Sequence, residues 1–171
     1  MILPIRTLGD PVLRAPAKTV EVFDAALRAL AEEMLETMYA APGVGLAGPQ
    51  VGVSLRIFTF DDGHTGPLVM VNPTLTEADG STLEEEGCLS IPGPYHPTQR
   101  AERIRCSGMD RDGEPFEMTG EGLLARIFQH ETDHLDGMLY IDRLEDAGRK
   151  AVLSELRRIE LGLVEPRRPS G

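Results

Sequence analysis

One stretch constrains the fold more than any other: residues 120–137, GEGLLARIFQHETDHLDG. Its first turns, LLARIF, are strongly apolar, so the spacing predicts a helix buried among other layers. The same helix carries His130, Glu131, Asp133 and His134. Buried polar groups need partners, and a cation supplies one. Residues four apart on a helix project from one face, so His130 and His134 can grip a single ion. Glu131 lies about a quarter-turn round, close enough to serve a bound water without being a ligand. The chain has four histidines, and half of them fall in this helix. Gly137 is the expected C-terminal cap.

The other segments supply the layers. Residues 24–40 place Leu27, Leu30, Met34, Leu35 and Met38 at three- and four-residue steps, an amphipathic helix with Asp24 as N-cap. APGVGLAGPQVG, rich in Gly and Pro, reads as a loop. SLRIFTFDD and PLVMVNPTL read as strands, as do AERIRCSGM and PFEMTG around an Asp-Gly turn. MLYIDRL reads as a short strand or turn. Residues 147–161 give a third helix through Val152, Leu153, Leu156 and Ile159, and the tail 164–171 reads as frayed. The expected architecture is α+β. Antiparallel or mixed sheets pack around the central histidine-bearing helix, with one helix N-terminal and another C-terminal, in a single domain over 1–171.

Composition narrows the function. A net charge of −11 argues against strong nucleic-acid binding, which needs a basic face. Lys18 and Lys150 are the only lysines among 17 basic residues, which reflects a coding bias rather than chemistry. No apolar run approaches the roughly 20 residues of a membrane span. The start, MILPIRTLGDPVLRAPA, lacks the features of a signal peptide. The expected location is the cytoplasm, where Cys88 and Cys106 stay reduced.

A catalytic metal needs a third protein ligand and one open position. A histidine six residues after His134 would serve, but Tyr140 stands there. Glu155 and Glu160 have suitable spacing but sit in a charged amphipathic helix. His64 falls in a turn, DDGHTG, and Cys106 in an alternating strand; His96 is a further candidate. Cys88, in EEEGCLSIPG, has glycine beside it, and its thiolate would be a soft, strong ligand. A closed structural site built from Cys88, Cys106, His130 and His134 is a further arrangement.

Three segments in order, GVGLAGPQ at 43–50, EGCLS at 86–90 and HETDH at 130–134, resemble the peptide deformylases. IRTLGDPVLR and DRDG are similar too, and the likeness runs over about residues 2–163. The resemblance implies a metal-dependent hydrolase that releases formate from N-formylmethionyl nascent chains. It implies Cys88, His130 and His134 as ligands and Fe²⁺ as the metal in the cell, with Zn²⁺, Ni²⁺ or Co²⁺ in purified protein; ligand types alone point to zinc. It implies Glu131 as general base and then acid to a hydroxide generated at the metal. Gln50 and the Leu89 N–H would stabilise the oxyanion. Val44, Gly45 and Gly87 would pair with an extended substrate, and Gly43 leaves room for its backbone. Val44, Leu123, Ile127 and His130 would line the methionine pocket.

Two departures stand out: Gly48 replaces an alanine common in the first segment, and Tyr95 stands where many relatives carry arginine. Nascent-chain substrates imply a weak ribosome contact, for which Arg157, Arg158, Arg167 and Arg168 supply local positive charge. The expected state is a monomer.

Overall fold

The computed structural model describes residues 1–167. Its helices are α1 (Ala25–Ala40), α2 (Leu123–Leu135) and α3 (Asp146–Glu160). Five strands form one antiparallel sheet in the order β1 (Gly45–Ala47), β2 (Ile57–Phe60), β3 (Leu68–Asp79), β6 (Arg103–Met109) and β7 (Pro115–Glu121). Between β3 and β6 the chain makes a separate antiparallel hairpin, β4 (Thr82–Cys88) with β5 (Ile91–Arg100). The α+β expectation holds, and both sheets are antiparallel. No helix among the described residues is long and apolar enough to cross a membrane.

Strand β2 explains the layering. Its side chains alternate between faces, and both faces are buried. Phe58 and Phe60, with Met70 of β3, meet Ala125, Ile127 and Phe128 of α2. The Phe60 and Phe128 rings stand edge to face at 5.3 Å. Ile57, with Val69 and Val71, meets Leu27, Ala31, Met34, Leu35 and Met38 of α1. The central sheet is therefore sandwiched between the two helices. A third cluster seats Val152 and Leu156 of α3 with Ile91 of β5 and Tyr140 and Ile141.

The helix ends follow the local chemistry. Asp24 caps α1 by accepting from the Leu27 N–H at 3.0 Å. At the end of α2, Gly137 adopts φ 77°, its N–H reaches the His134 carbonyl, and the Met138 N–H reaches that of Asp133. This is a Schellman closure, which requires the left-handed glycine. It stops the helix one residue after its second histidine.

One segment differs from expectation. The Gly-Pro-rich stretch holds β1, paired with β2, and then a 3-10 turn over Gly48–Val51. MLYIDRL, expected as a short strand or turn, takes the turn form, a 3-10 turn over Tyr140–Arg143. Of the tail 164–171, residues 164–167 are described, and Arg167 is paired with Glu85; residues 168–171, including Arg168, lie outside the described residues.

Candidate metal centre

The α2 histidines face the end of the β4–β5 hairpin. Cys88 is the last residue of β4, and its Sγ lies 3.4 Å from Nε2 of His134. Cys88, His130 and His134 each offer one ligand atom, all within 4.8 Å of one another. The histidine rings are 5.0 Å apart at 66°. Among the described residues this is the only such grouping. Cys106 is buried in the core beneath α2. His96 packs its ring against Gly148 of α3, and His64 is exposed. Glu155 and Glu160 lie on α3, outside the grouping.

The donor set suits a divalent transition metal. One thiolate and two imidazoles are soft to borderline donors, and three protein ligands leave a coordination position open. The His130 ring is already oriented: its Nδ1 lies 2.6 Å from Oε1 of Glu86. A carboxylate there accepts a hydrogen bond from Nδ1–H, which leaves the Nε2 lone pair free for an ion. Burial holds His134 well below the usual histidine range, so it stays in its neutral, ligating form. Burial also pulls His130 down, but the charges of Glu131, Cys88 and Glu86 outweigh it and favour a positive charge at this spot. A bound cation satisfies the same demand.

Glu86 is the hub of a buried ionic network. Arg100 donates to it through Nε at 3.0 Å and Nη2 at 2.6 Å, and Arg126 through Nη1 at 2.5 Å. Burial alone would raise the Glu86 carboxyl; its bonds to His130 and Arg100 prevail and hold it well below the usual range. Arg100 also donates to Asp133 at 2.7 Å, and Arg143 grips Asp133 from the other side. Asp133 therefore braces α2 instead of binding the ion. Tyr140 stacks on the His130 ring at 6.3 Å and 21°. The network ties the hairpin that carries Cys88 to the helix that carries both histidines.

Glu131 is built differently. It is buried, and its Oε1 has no hydrogen-bond partner. Burial pushes its carboxyl up to about 7. A group so placed can hold or release a proton near neutrality. Gln50, fully enclosed, accepts from the Ala47 N–H at 2.9 Å, which turns its amide nitrogen toward Ser90 and Cys88. That nitrogen lies 3.2 Å from the Ser90 hydroxyl and 3.7 Å from the Cys88 sulfur.

Glu86, Cys88, His130, Glu131 and Gln50 open onto one groove of about 880 Å³. Gly43, Val44, Gly45, Gln50, Gly87, Leu89, Leu123 and Ile127 line it together with Cys88, His130 and Glu131. His134 is enclosed behind. The expected ligands, base, oxyanion donors and pocket residues thus lie together, whereas Cys106, His64, His96, Glu155 and Glu160 lie elsewhere. Reading the sequence gave no place to Arg100, Arg126, Arg143 or Tyr140 at the site. The network partners of Glu86 lie 14, 40 and 44 residues away along the chain, so no local pattern marks them.

A family model described as polypeptide deformylase matches residues 2–150. A peptide deformylase of Acidothermus cellulolyticus is 51% identical over 160 residues, which cover 93% of this chain and 88% of that protein. One from Alkalilimnicola ehrlichii is 47% identical over 161 residues, covering 92% and 90%. Among solved structures, a peptide deformylase from Legionella pneumophila superposes with a TM-score of 0.90 at 44% identity, covering 97% of this chain and 100% of that one.

Proposed function

The chain belongs to the polypeptide deformylase family, whose members remove the N-formyl group from nascent peptides, and we propose the following assignment of that chemistry to its residues. One observation carries it: Cys88 and His130 of the Cys88–His130–His134 triad open onto a groove beside a buried carboxylate, Glu131, with an unpartnered oxygen.

Cys88, His130 and His134 hold one divalent ion, Fe²⁺ in the cell; Zn²⁺, Ni²⁺ and Co²⁺ fit the same donors. When bound, the ion supplies Lewis acidity that makes water a competent nucleophile near neutral pH. Glu131 accepts the proton of the attacking water and later delivers it to the leaving amine. The Gln50 amide nitrogen and the Leu89 N–H face the formyl oxygen as negative charge develops there; each such donor is worth about 2.7–4 kcal/mol. Val44, Leu123, Ile127 and the His130 ring enclose the methionine side chain. Val44, Gly45 and Gly87 pair with an extended peptide backbone, and Gly43 keeps the wall low. The protein acts as a cytoplasmic monomer and touches the ribosome weakly through the positive charge around Arg157 and Arg158.

The test is formate release from a formyl-Met peptide by protein loaded anaerobically with Fe²⁺, or with Ni²⁺. Correctly metallated protein that releases no formate would sink the proposal. A peptide deformylase from Synechococcus elongatus was solved in complex with actinonin; the same compound should compete for this groove.

A further inference from the structure

The groove is larger than a methionine side chain requires, and its volume of about 880 Å³ falls in the range that encloses drug-sized ligands. Part of its wall comes from the chain's last described residues. Beyond α3 the chain turns at Gly162, and Glu165, Pro166 and Arg167 join the groove lining. Gly93 of β5, at φ 110°, receives this strap: a Cβ there would collide with Ile159 and crowd Pro166.

Arg167 is held at two points. Its guanidinium carbon stands 4.4 Å from the centre of the Tyr95 ring, a cation–π contact. Its Nη2 donates to Oε2 of Glu85 at 2.9 Å. The Tyr95 ring in turn covers Gly87, where a Cβ would lie 2.7 Å from the ring. Glu85 and Gly87 are two apart on β4 and share a face. A peptide that leaves the triad along Gly87 therefore reaches Glu85 and Arg167 after about two residues of extended chain, at roughly 3.3 Å each.

We infer that Arg167 is a specificity-determining residue: its guanidinium reads the side chains that follow methionine and favours acidic over basic ones. The inference rests on the deformylase reading of the groove. A guanidinium carries five N–H donors, and Glu85 takes the only hydrogen bonds Arg167 makes among the described residues. Both members of that pair are about half exposed, so exchanging Glu85 for a peptide carboxylate costs little. Without Arg167 the rim would keep the charges of Glu85 and Glu165, and its preference for acidic side chains would fall.

The experiment uses the full, metal-loaded chain. Its substrates are formyl-Met-Ala-Asp-amide and formyl-Met-Ala-Lys-amide, the same pair with the charge at the second residue, and formyl-Met-amide as reference. The parent favours Asp over Lys, mainly through KM. Arg167→Ala lowers that preference about two- to fivefold, Arg167→Glu lowers it further, and Arg167→Lys restores part of it. Cleavage of the reference peptide with an Asp-to-Lys ratio that none of the variants moves, at either position, overturns the inference alone. No cleavage of the reference peptide by the parent overturns the deformylase reading and the inference with it.

Discussion

Gly45 and Glu131 are in direct apposition: a Cβ at position 45 would lie 2.5 Å from Oε2 of Glu131. The strand edge that is proposed to carry the peptide therefore also sets where the proposed base sits. Gly45→Ala must displace Glu131 or shift β1. Misplacement of a catalytic group by about 1 Å can cost roughly 10²-fold in rate. The expected outcome is a kcat loss of that order with metal content unchanged, read by formate assay and metal analysis on the same sample. Full activity would mean that Glu131 need not be held there.

Glu131→Gln separates chemistry from binding. The variant keeps the shape and the ion but cannot carry the proton, so turnover should fall by about 10²–10⁴. Burial already disfavours the charged form of Glu131, so thermal stability should hold or rise. Loss of metal from this variant would argue that Glu131 is a ligand.

Gln50→Ala removes a proposed oxyanion donor and should lower kcat by about 10²–10³. It also strips the partner from the Ala47 N–H, at a cost of about 1–3 kcal/mol in stability. Calorimetry beside steady-state kinetics separates the two effects. An unchanged kcat at substrate saturation would remove Gln50 from the mechanism.

Glu86→Gln tests the network behind the site. Arg100 and Arg126 would lose their shared anion in a buried setting, which typically costs about 3–5 kcal/mol. The His130 ring would lose its orienting carboxylate, so metal affinity should fall about 10–100-fold. Denaturant titration of the metal-free protein reads the first effect and competition with a chelator reads the second. If both stay at parent values, the network does not hold the ligand.

The two cysteines should differ in reactivity. Cys106 is fully buried, and burial pushes its thiol up to about 12, so it should resist alkylation while the protein is folded. Cys88 should be alkylated after chelation and protected after reloading. Cys106→Ser should leave the metal content intact, while Cys88→Ala should abolish it. Labelling of Cys88 at equal rates with and without metal would exclude it as a ligand.

The histidine pair was legible because its geometry is local. An i, i+4 spacing on an apolar helix places two imidazoles side by side whatever the rest of the chain does, and Gly137 marks the helix end by the conformation only glycine takes cheaply. The fold class followed from periodicities of the same kind. The hairpin β4–β5 escaped such a reading because Pro92, Pro94 and Pro97 interrupt β5. Proline cannot donate to a sheet ladder, yet it is tolerated on an edge, and a two-stranded sheet is all edge.

Periodicity alone determined which helix offers ligands, and the three-segment likeness chose Cys88 among several candidates. Neither assigned Glu86. A carboxylate in the run Glu84–Glu86 looks like solvated surface until folding brings Arg100, Arg126 and His130 against it. Only the tertiary structure could decide that, because a buried charge is defined by what surrounds it in space, and its partners come from distant elements. The same holds for the outer rim, where Arg167 meets Tyr95 and Glu85 across an interval of more than 70 residues (167 − 95 = 72).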